Sequence, residues 1–165
     1  MDIHNRFHTP SSFAWVRAEA TLALLALAYL LLAFFDDVNW PRFLLAFALI
    51  DLVGYLPGAL AFRRARAARR QTAGADAVPR IAPLFHHLYN LSHSFVTCGV
   101  VLGLWWALRG DVEWAMLALP LHLLGDRGLF GNTYKPTRLP FEPTPLPPPA
   151  RLAALTTPAA APGAR

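Results

Sequence analysis

The apolar residues of this chain are gathered into long runs, such as Ala20 to Phe35, rather than spaced as they are on the helices of a soluble core. Four stretches read as crossing a hydrocarbon layer. They cover about residues 14–35, 42–62, 82–108 and 112–130, and the first two are roughly 33 Å and 31 Å long at the helical rise. The fourth apolar stretch, Val112 to Leu124, is only about 20 Å long. It reaches across when the helix continues through Gly125, Asp126 and Arg127 to about Phe130. The pattern therefore predicts an all-α, polytopic membrane protein: a segment 1–13, a four-transmembrane-helix bundle over 14–135, and a tail over 136–165.

Composition agrees with a bilayer as solvent. Of the 165 residues, 55% are hydrophobic and only 15% charged, and the mean hydropathy is +0.36, which argues against a free cytoplasmic globule. The single cysteine, Cys98, excludes an internal disulfide framework and any Cys-cluster metal site. Asp2 and His4 stand where a signal peptide would be basic, and no small-residue cleavage site follows the first apolar run, so no signal peptide is expected.

The net charge of +5 and pI near 10.1 invite a nucleic-acid reading, but the placement of the charges answers it. Arg63, Arg64, Arg66, Arg69, Arg70 and Arg80 lie in or beside the loop between spans two and three, whereas the other loops carry Asp36, Asp37, Asp111 and Glu113 against Arg42 and Arg109. With the basic loop cytoplasmic, both termini are cytoplasmic and 13 of the 15 Lys and Arg fall on that side. Basic charge is thus a topology signal with attraction to anionic lipid, and no nucleic-acid partner is expected. Trp40, Trp105, Trp106 and Trp114 mark the outer edge and Trp15 the inner one. Nine of the 15 prolines lie in the last 30 residues, so that stretch is expected to be an extended, disordered tail.

The informative residues are the ionisable ones inside the spans, each costing on the order of 2.5–3.5 kcal/mol at a helix centre. They are Arg17 and Glu19, Asp51 with Tyr55, His86, His87, Asn90 and His93, and His122 with Asp126. On one continuous helix His86, Asn90, His93 and Thr97 form a single stripe within about a 60° arc. His122 and Asp126, like Asp51 and Tyr55, share a face at a spacing of four. Counted from the cytoplasmic ends, Glu19, Asp51, His86, His93, His122 and Asp126 all lie roughly 6–16 Å deep, in one band.

Imidazole and carboxylate are ligands suited to Zn, Mn or Fe. His93, His122, Asp126 and His86 are the expected metal ligands, with Asp51 and Glu19 completing the shell or serving as general base. Tyr55, Asn90 and Arg127 would bind or orient an anionic head group. An open position at the metal would bring the pKa of bound water toward neutrality and polarise an ester or phosphoryl oxygen. The chemistry is then hydrolysis or transfer on a lipid or other apolar substrate. The competing reading is a hydrogen-bonded polar core, with Arg17 on Glu19, His122 on Asp126 and Asn90 bridging helices. Haem held by His93 and His122 is a third reading. From a different class comes a non-catalytic accessory subunit of a larger membrane complex, meeting partners through the Trp-rich edge or the Pro-rich tail.

Four segments, Trp15-Val-Arg-Ala-Glu19, Asp51-Leu-Val-Gly-Tyr55, Tyr89-Asn-Leu-Ser-His93 and His122-Leu-Leu-Gly-Asp126-Arg127, resemble in that order a small four-span bacterial membrane family of unknown function, family 4260. The resemblance spans about residues 13–136. It implies the four-span fold and a bacterial inner-membrane location. Its pattern falls on Arg17, Glu19, Asp51, Gly54, Tyr55, Tyr89, Asn90, His93, His122, Asp126 and Arg127. Two departures stand out. After the Asp-Arg pair the family tends toward Gly-Tyr-Gly-Leu-Lys where this chain has Gly131-Asn-Thr-Tyr-Lys135, and a later family Thr-His has no histidine here, where Phe141-Glu-Pro-Thr-Pro stands. The family has no assigned reaction, so the resemblance implies fold and site positions only.

Overall fold

The computed structural model describes residues 10–72 and 79–142, and the side chains of 70–72 are not described. The start of the expected N-terminal segment, the centre of the basic loop and the expected tail beyond Glu142 lie outside the described residues. Among the described residues there are six α-helices and no strand: α1 (Pro10–Ala33), α2 (Trp40–Gly54), α3 (Leu56–Thr72), α4 (Pro83–Ser92), α5 (Phe95–Arg109) and α6 (Ala118–Gly125).

Two helical stretches are long and apolar enough to cross a membrane: α1, and α2 with α3 over Trp40–Arg69. Helix α2 starts where the Asn39 side chain accepts the Arg42 N–H at 3.2 Å, with Pro41 in the first turn, where its missing N–H costs nothing. It runs on into α3 because Tyr55 and Ala59 still bond back to Asp51 O and Tyr55 O, both at 2.9 Å, so Pro57 removes only one rung.

The expected third span is broken. Helices α4 and α5 meet at an angle of 56° and count as one span only as a bent pair. His93, at φ −95° and ψ 18°, closes α4. Ser94 is extended, and its hydroxyl accepts the Val96 N–H at 3.2 Å, which starts α5 as a fresh helix. The single stripe expected from His86 to Thr97 therefore ends at His93, because the helical phase is lost there.

The expected fourth span also differs. A 3-10 turn over Trp114–Leu117, α6 and a π turn over Asp126–Phe130 follow one another, together about 25 Å long. It is not among the helices that pass as spans. It is a central element: Ala118, Leu119, Leu121, His122 and Leu123 are buried, and α6 packs on α1, α2 and α5. The buried apolar residues of α6 face neighbouring helices.

Three buried groups follow one another along the long α2–α3 stretch. Val38, Phe43, Ala115, Ala118 and Leu121 pack with Trp40, Trp105 and Trp114 at one end, where Glu113 binds both Arg42 at 2.8 Å and Arg109 at 2.6 Å. Ile50, Cys98, Leu119 and Leu123 fill the middle, and Ala59, Phe62, Tyr89 and Phe141 the other end. The outward faces remain apolar; on α1, Leu22, Leu25, Tyr29 and Leu32 are all exposed, which suits acyl chains better than water.

The last group corrects the expected tail boundary at residue 136. Phe141 is 1% exposed, and a Cβ at Gly58 would collide with its ring, so the segment seats on a notch that only glycine leaves open. Leu139 O accepts from His86 Nε2 at 3.2 Å, and Lys135 Nζ donates to Phe141 O at 2.6 Å. Residues 136–142 are thus a strap docked on α3 and α4. The proline content forbids a helix there but not an anchored extended chain. Phe141→Ala should cost about 3–5 kcal/mol and expose the strap to protease. Unfolding in mild detergent with limited proteolysis checks this, and a variant as stable and as resistant as the parent refutes the docking.

Candidate functional site

The break after α4 and the π turn after α6 bring the site together. His93 ends α4, Asp51 comes from α2, His122 from α6, and Asp126 opens the π turn. A π turn inserts one extra residue into the helical phase and recurs at functional sites; here it follows directly on Gly125, and Asp126, its first residue, lies one turn after His122.

Each of the two imidazoles approaches both carboxylates. His93 Nε2 lies 3.4 Å from Asp51 Oδ1 and 3.2 Å from Asp126 Oδ2. His122 Nε2 lies 3.7 Å from each of the same two oxygens. The donor atoms of Asp51, His93 and His122 all fall within 4.8 Å of one another. Both imidazoles are buried, while Asp51 has 51% of its side chain exposed and Asp126 17%. Tyr89 stacks on the His93 ring at 3.9 Å, Phe47 covers His122 at 4.6 Å, and the two imidazoles meet edge to face at 5.6 Å.

The protonation pattern follows from the partners of His93. Its Nδ1 is 3.0 Å from Tyr89 O and 2.8 Å from Ser92 Oγ, and the Ser92 hydroxyl donates to the same carbonyl at 3.0 Å. A carbonyl only accepts, so Nδ1 carries the hydrogen and Nε2 turns its lone pair inward. Nε2 is buried and has no hydrogen-bond partner of its own despite the two nearby carboxylates. A lone pair facing two carboxylates calls for a cation between them, either a proton on Nε2 or a metal ion.

Two arginines hold the broken helix ends. Arg127 Nη2 donates to His93 O at 3.1 Å, and its guanidinium lies over the Phe95 ring at 4.1 Å. Arg17 donates to Gly128 O at 3.1 Å and to Leu129 O at 3.0 Å. The sequence pairs Arg17 with Glu19, but its bonds are to these carbonyls, and Glu19 is exposed on α1, apart from the cluster. Gly128 gives α1 close access, since a Cβ there would lie 2.7 Å from Thr21 Oγ1.

The remaining expected residues serve the strap. His86 is 2% exposed and stands apart from the other histidines, with Nε2 on Leu139 O and its ring edge-on to Phe141. Asn90 closes a two-way bond with Lys135, accepting its N–H at 2.7 Å and donating to its carbonyl at 3.1 Å. Tyr55 stacks on Phe141 at 6.0 Å. Lys135 sits among the rings of Tyr55, Tyr89 and Phe141 at 5.4, 4.8 and 4.5 Å, and burial pushes its ammonium below the ordinary value.

Beside the cluster runs a groove of about 500 Å³ between α2, α4, α5 and α6. Its lining includes Ile50, Ser92 and Leu123, the chain neighbours of Asp51, His93 and His122. No protein-family model, no curated protein and no solved structure matches the chain. The class therefore rests on fold and site alone: an all-helical protein with two or three apolar, span-length helical stretches and a cluster of two buried histidines and two aspartates.

Sequence reasoning did not single out Ser92 as the partner of His93 or Gly54 as a spacer. A Cβ on Gly54 would collide with Ser92 Oγ and come within 3.3 Å of His93 Cε1, so this glycine lets α2 approach the end of α4 and sets the Asp51–His93 distance. Gly54→Ala should destabilise the protein by about 1–3 kcal/mol. Adding Ser92→Gly should recover at least about 1 kcal/mol of that loss. Denaturation of the four members of this double-mutant cycle tests the contact, and strictly additive effects would refute it.

Proposed function

We propose that His93, His122 and Asp126, with Asp51 beside them, hold one divalent metal ion of the Zn, Mn or Fe type, and that the chain is an integral membrane protein acting with it on a lipid or other apolar substrate. The spacing of the donors carries this reading. Bonds of about 2.1 Å to tetrahedral ligands place neighbouring donor atoms about 3.4 Å apart; Asp126 Oδ2 lies 3.2 and 3.7 Å from the Nε2 atoms of His93 and His122, and Asp51 Oδ1 lies 3.4 and 3.7 Å from the same two atoms. The Nδ1 bond from His93 to Tyr89 O is the outer support that fixes the ring and frees Nε2. The carboxylates lie within 3.7 Å of both imidazoles, in the space a haem macrocycle would need, so the site suits a bare ion better than haem.

Such an ion supplies Lewis-acid polarisation of an ester or phosphoryl oxygen. The chain's own residues do the rest. Asp51, half-exposed, is placed to take the proton of an attacking water, which passes on to the leaving oxygen. The apolar groove alongside receives the acyl or isoprenoid part of the substrate. Arg127 and Lys135 line the polar side of the site near Asp126 and Tyr89. The four-span topology with cytoplasmic termini, the bacterial inner-membrane location and kinship with family 4260 belong to this proposal. The arginine distribution supports the topology, and the four motifs support the kinship.

Binding of Asp51 as well would close a shell of four protein donors, which is the second reading: a structural metal that staples a non-catalytic subunit of a larger membrane complex. Elemental analysis of the purified protein separates these readings from a protonated His93 bridging the two aspartates. About one metal per chain is expected, lost in a His93→Ala, His122→Ala double variant, and a metal-free wild type of normal stability would sink both metal readings. With Co²⁺ installed, a visible spectrum that shifts on adding azide indicates an open position and catalysis. An unresponsive spectrum, with stable partners co-purifying, indicates the staple.

A further inference from the structure

The groove beside the cluster has the dimensions and the polarity of a site for one long molecule. The 56° bend between α4 and α5 turns α5 away from α2 and leaves a space of about 500 Å³, well inside the range of ligand pockets, about 300–1,000 Å³. Its floor is the buried middle group of Ile50, Cys98, Leu119 and Leu123. Leu49, Leu91 and Val101 on its rims are exposed, so it is open along its side.

The two ends of the groove differ in chemistry. Arg42 and Trp105 stand at one end, in the region of Trp40 and Trp114. Ser92 and Thr97 stand toward the other, and Ser92 is level with Gly54, where an added Cβ would collide with its hydroxyl. Arg42 and Gly54 are 12 residues apart along α2, so the two ends are roughly 18 Å apart. That is a little over half of a hydrocarbon core about 30 Å thick, the depth that one acyl chain fills.

A long apolar wall with a few polar groups at one end fixes the direction in which a ligand lies. Here the hydroxyls are at the end beside the cluster, with Ser92 Oγ 2.8 Å from His93 Nδ1. Hydroxyls suit an uncharged carbonyl or hydroxyl head, whose burial is offset by one or two hydrogen bonds, whereas a phosphate would need its charge paired. The two cations near the cluster already have partners: Arg127 holds His93 O and lies over Phe95, and Lys135 holds Phe141 O. The recess that Arg127 shares with Asp126 and Asn132 leaves no space for a water molecule, so it is too small for a phosphate.

We propose that the groove binds a single-chain amphiphile with an uncharged, hydrogen-bonding head, the ester of one long acyl chain. The head lies at Ser92 and Thr97 and the tail points toward Trp105. Its being the substrate rests on the metal reading above; its binding does not.

The test uses the full chain in phosphatidylcholine nanodiscs, which surround it with two-chained lipid in place of detergent. Cys98 is the chain's single cysteine and lies in the groove floor. Its alkylation by a membrane-permeant maleimide, followed by intact mass, therefore reports occupancy. Monooleoylglycerol should slow the alkylation at least about fivefold at concentrations several times its Kd. Its phosphate ester should slow it less than about twofold, because the charge is costly to bury in the groove, and dioleoylglycerol should do no better than the phosphate. Thr97→Val keeps the shape and removes the hydroxyl, so it should weaken monooleoylglycerol binding about threefold to tenfold. Val101→Trp fills the groove from its rim and should abolish the protection. Equal protection by the phosphate ester or by dioleoylglycerol, or protection unchanged in both variants, would overturn the proposal. The metal content of the same samples keeps the two readings apart. Metal-loaded protein without protection would remove the groove site alone, and protected but metal-free protein would keep the groove site and remove the metal chemistry.

Discussion

Every backbone carbonyl exposed by breaking a helix in an apolar medium must find a donor, and this requirement governs the architecture. The chain breaks its helical ladder where the cluster needs it, after α4 and through the π turn after α6. Each break is answered by an arginine brought from elsewhere: Arg127 covers His93 O, and Arg17 covers Gly128 O and Leu129 O. These cations also face the negative ends of the helices they close. Without them neither end could be buried, and His93 and Asp126 would not be held in place. The most conspicuous charged residues in the apolar stretches therefore serve the backbone first.

The cluster adds a second constraint of the same kind. His93 is fixed from behind by a carbonyl, so what it presents to Asp51 and Asp126 is an acceptor among acceptors. Glycine at position 54 and the ring of Tyr89 press it into that position from two sides. The geometry is thus enforced by packing that precedes any ligand, as preorganised sites require.

Much of this was legible in the sequence, and the failures have one physical origin. The spacing of four between His122 and Asp126, and the polar positions Asp51 and His93, pointed to residues that do meet, because depth along a helix is read directly from residue count. Helix identity was equally plain from the apolar runs. Direction around the axis was not, since it depends on an unbroken ladder. The break at His93 removed Thr97 from the stripe, and the Ser94 cap that causes it is a signal a closer reading of Ser92-His93-Ser94 could have used. His86 lay in the right band but is claimed by Leu139 O, a partner beyond the proline-rich boundary. Glu19 stands apart for the same reason: it lies on an exposed side of α1, a direction that depth along the helix does not reveal. The broken character of the fourth apolar stretch was not legible because hydrophobicity does not distinguish a surface facing lipid from one facing other helices. Phe141 was hidden among prolines that signal only the absence of a helix.

Helix α4 is short, and its ends do different things. His86 near its start holds the strap, and His93 at its end belongs to the cluster, roughly 10 Å apart on one stiff rod. Tyr89 lies between them, face to face with His93 and edge to face with Phe141. There is no slack in this line of rings. A force that lifts the strap from Gly58 is transmitted through Tyr89 to the imidazole, so the strap and the cluster behave as the two arms of a lever and cannot be displaced independently.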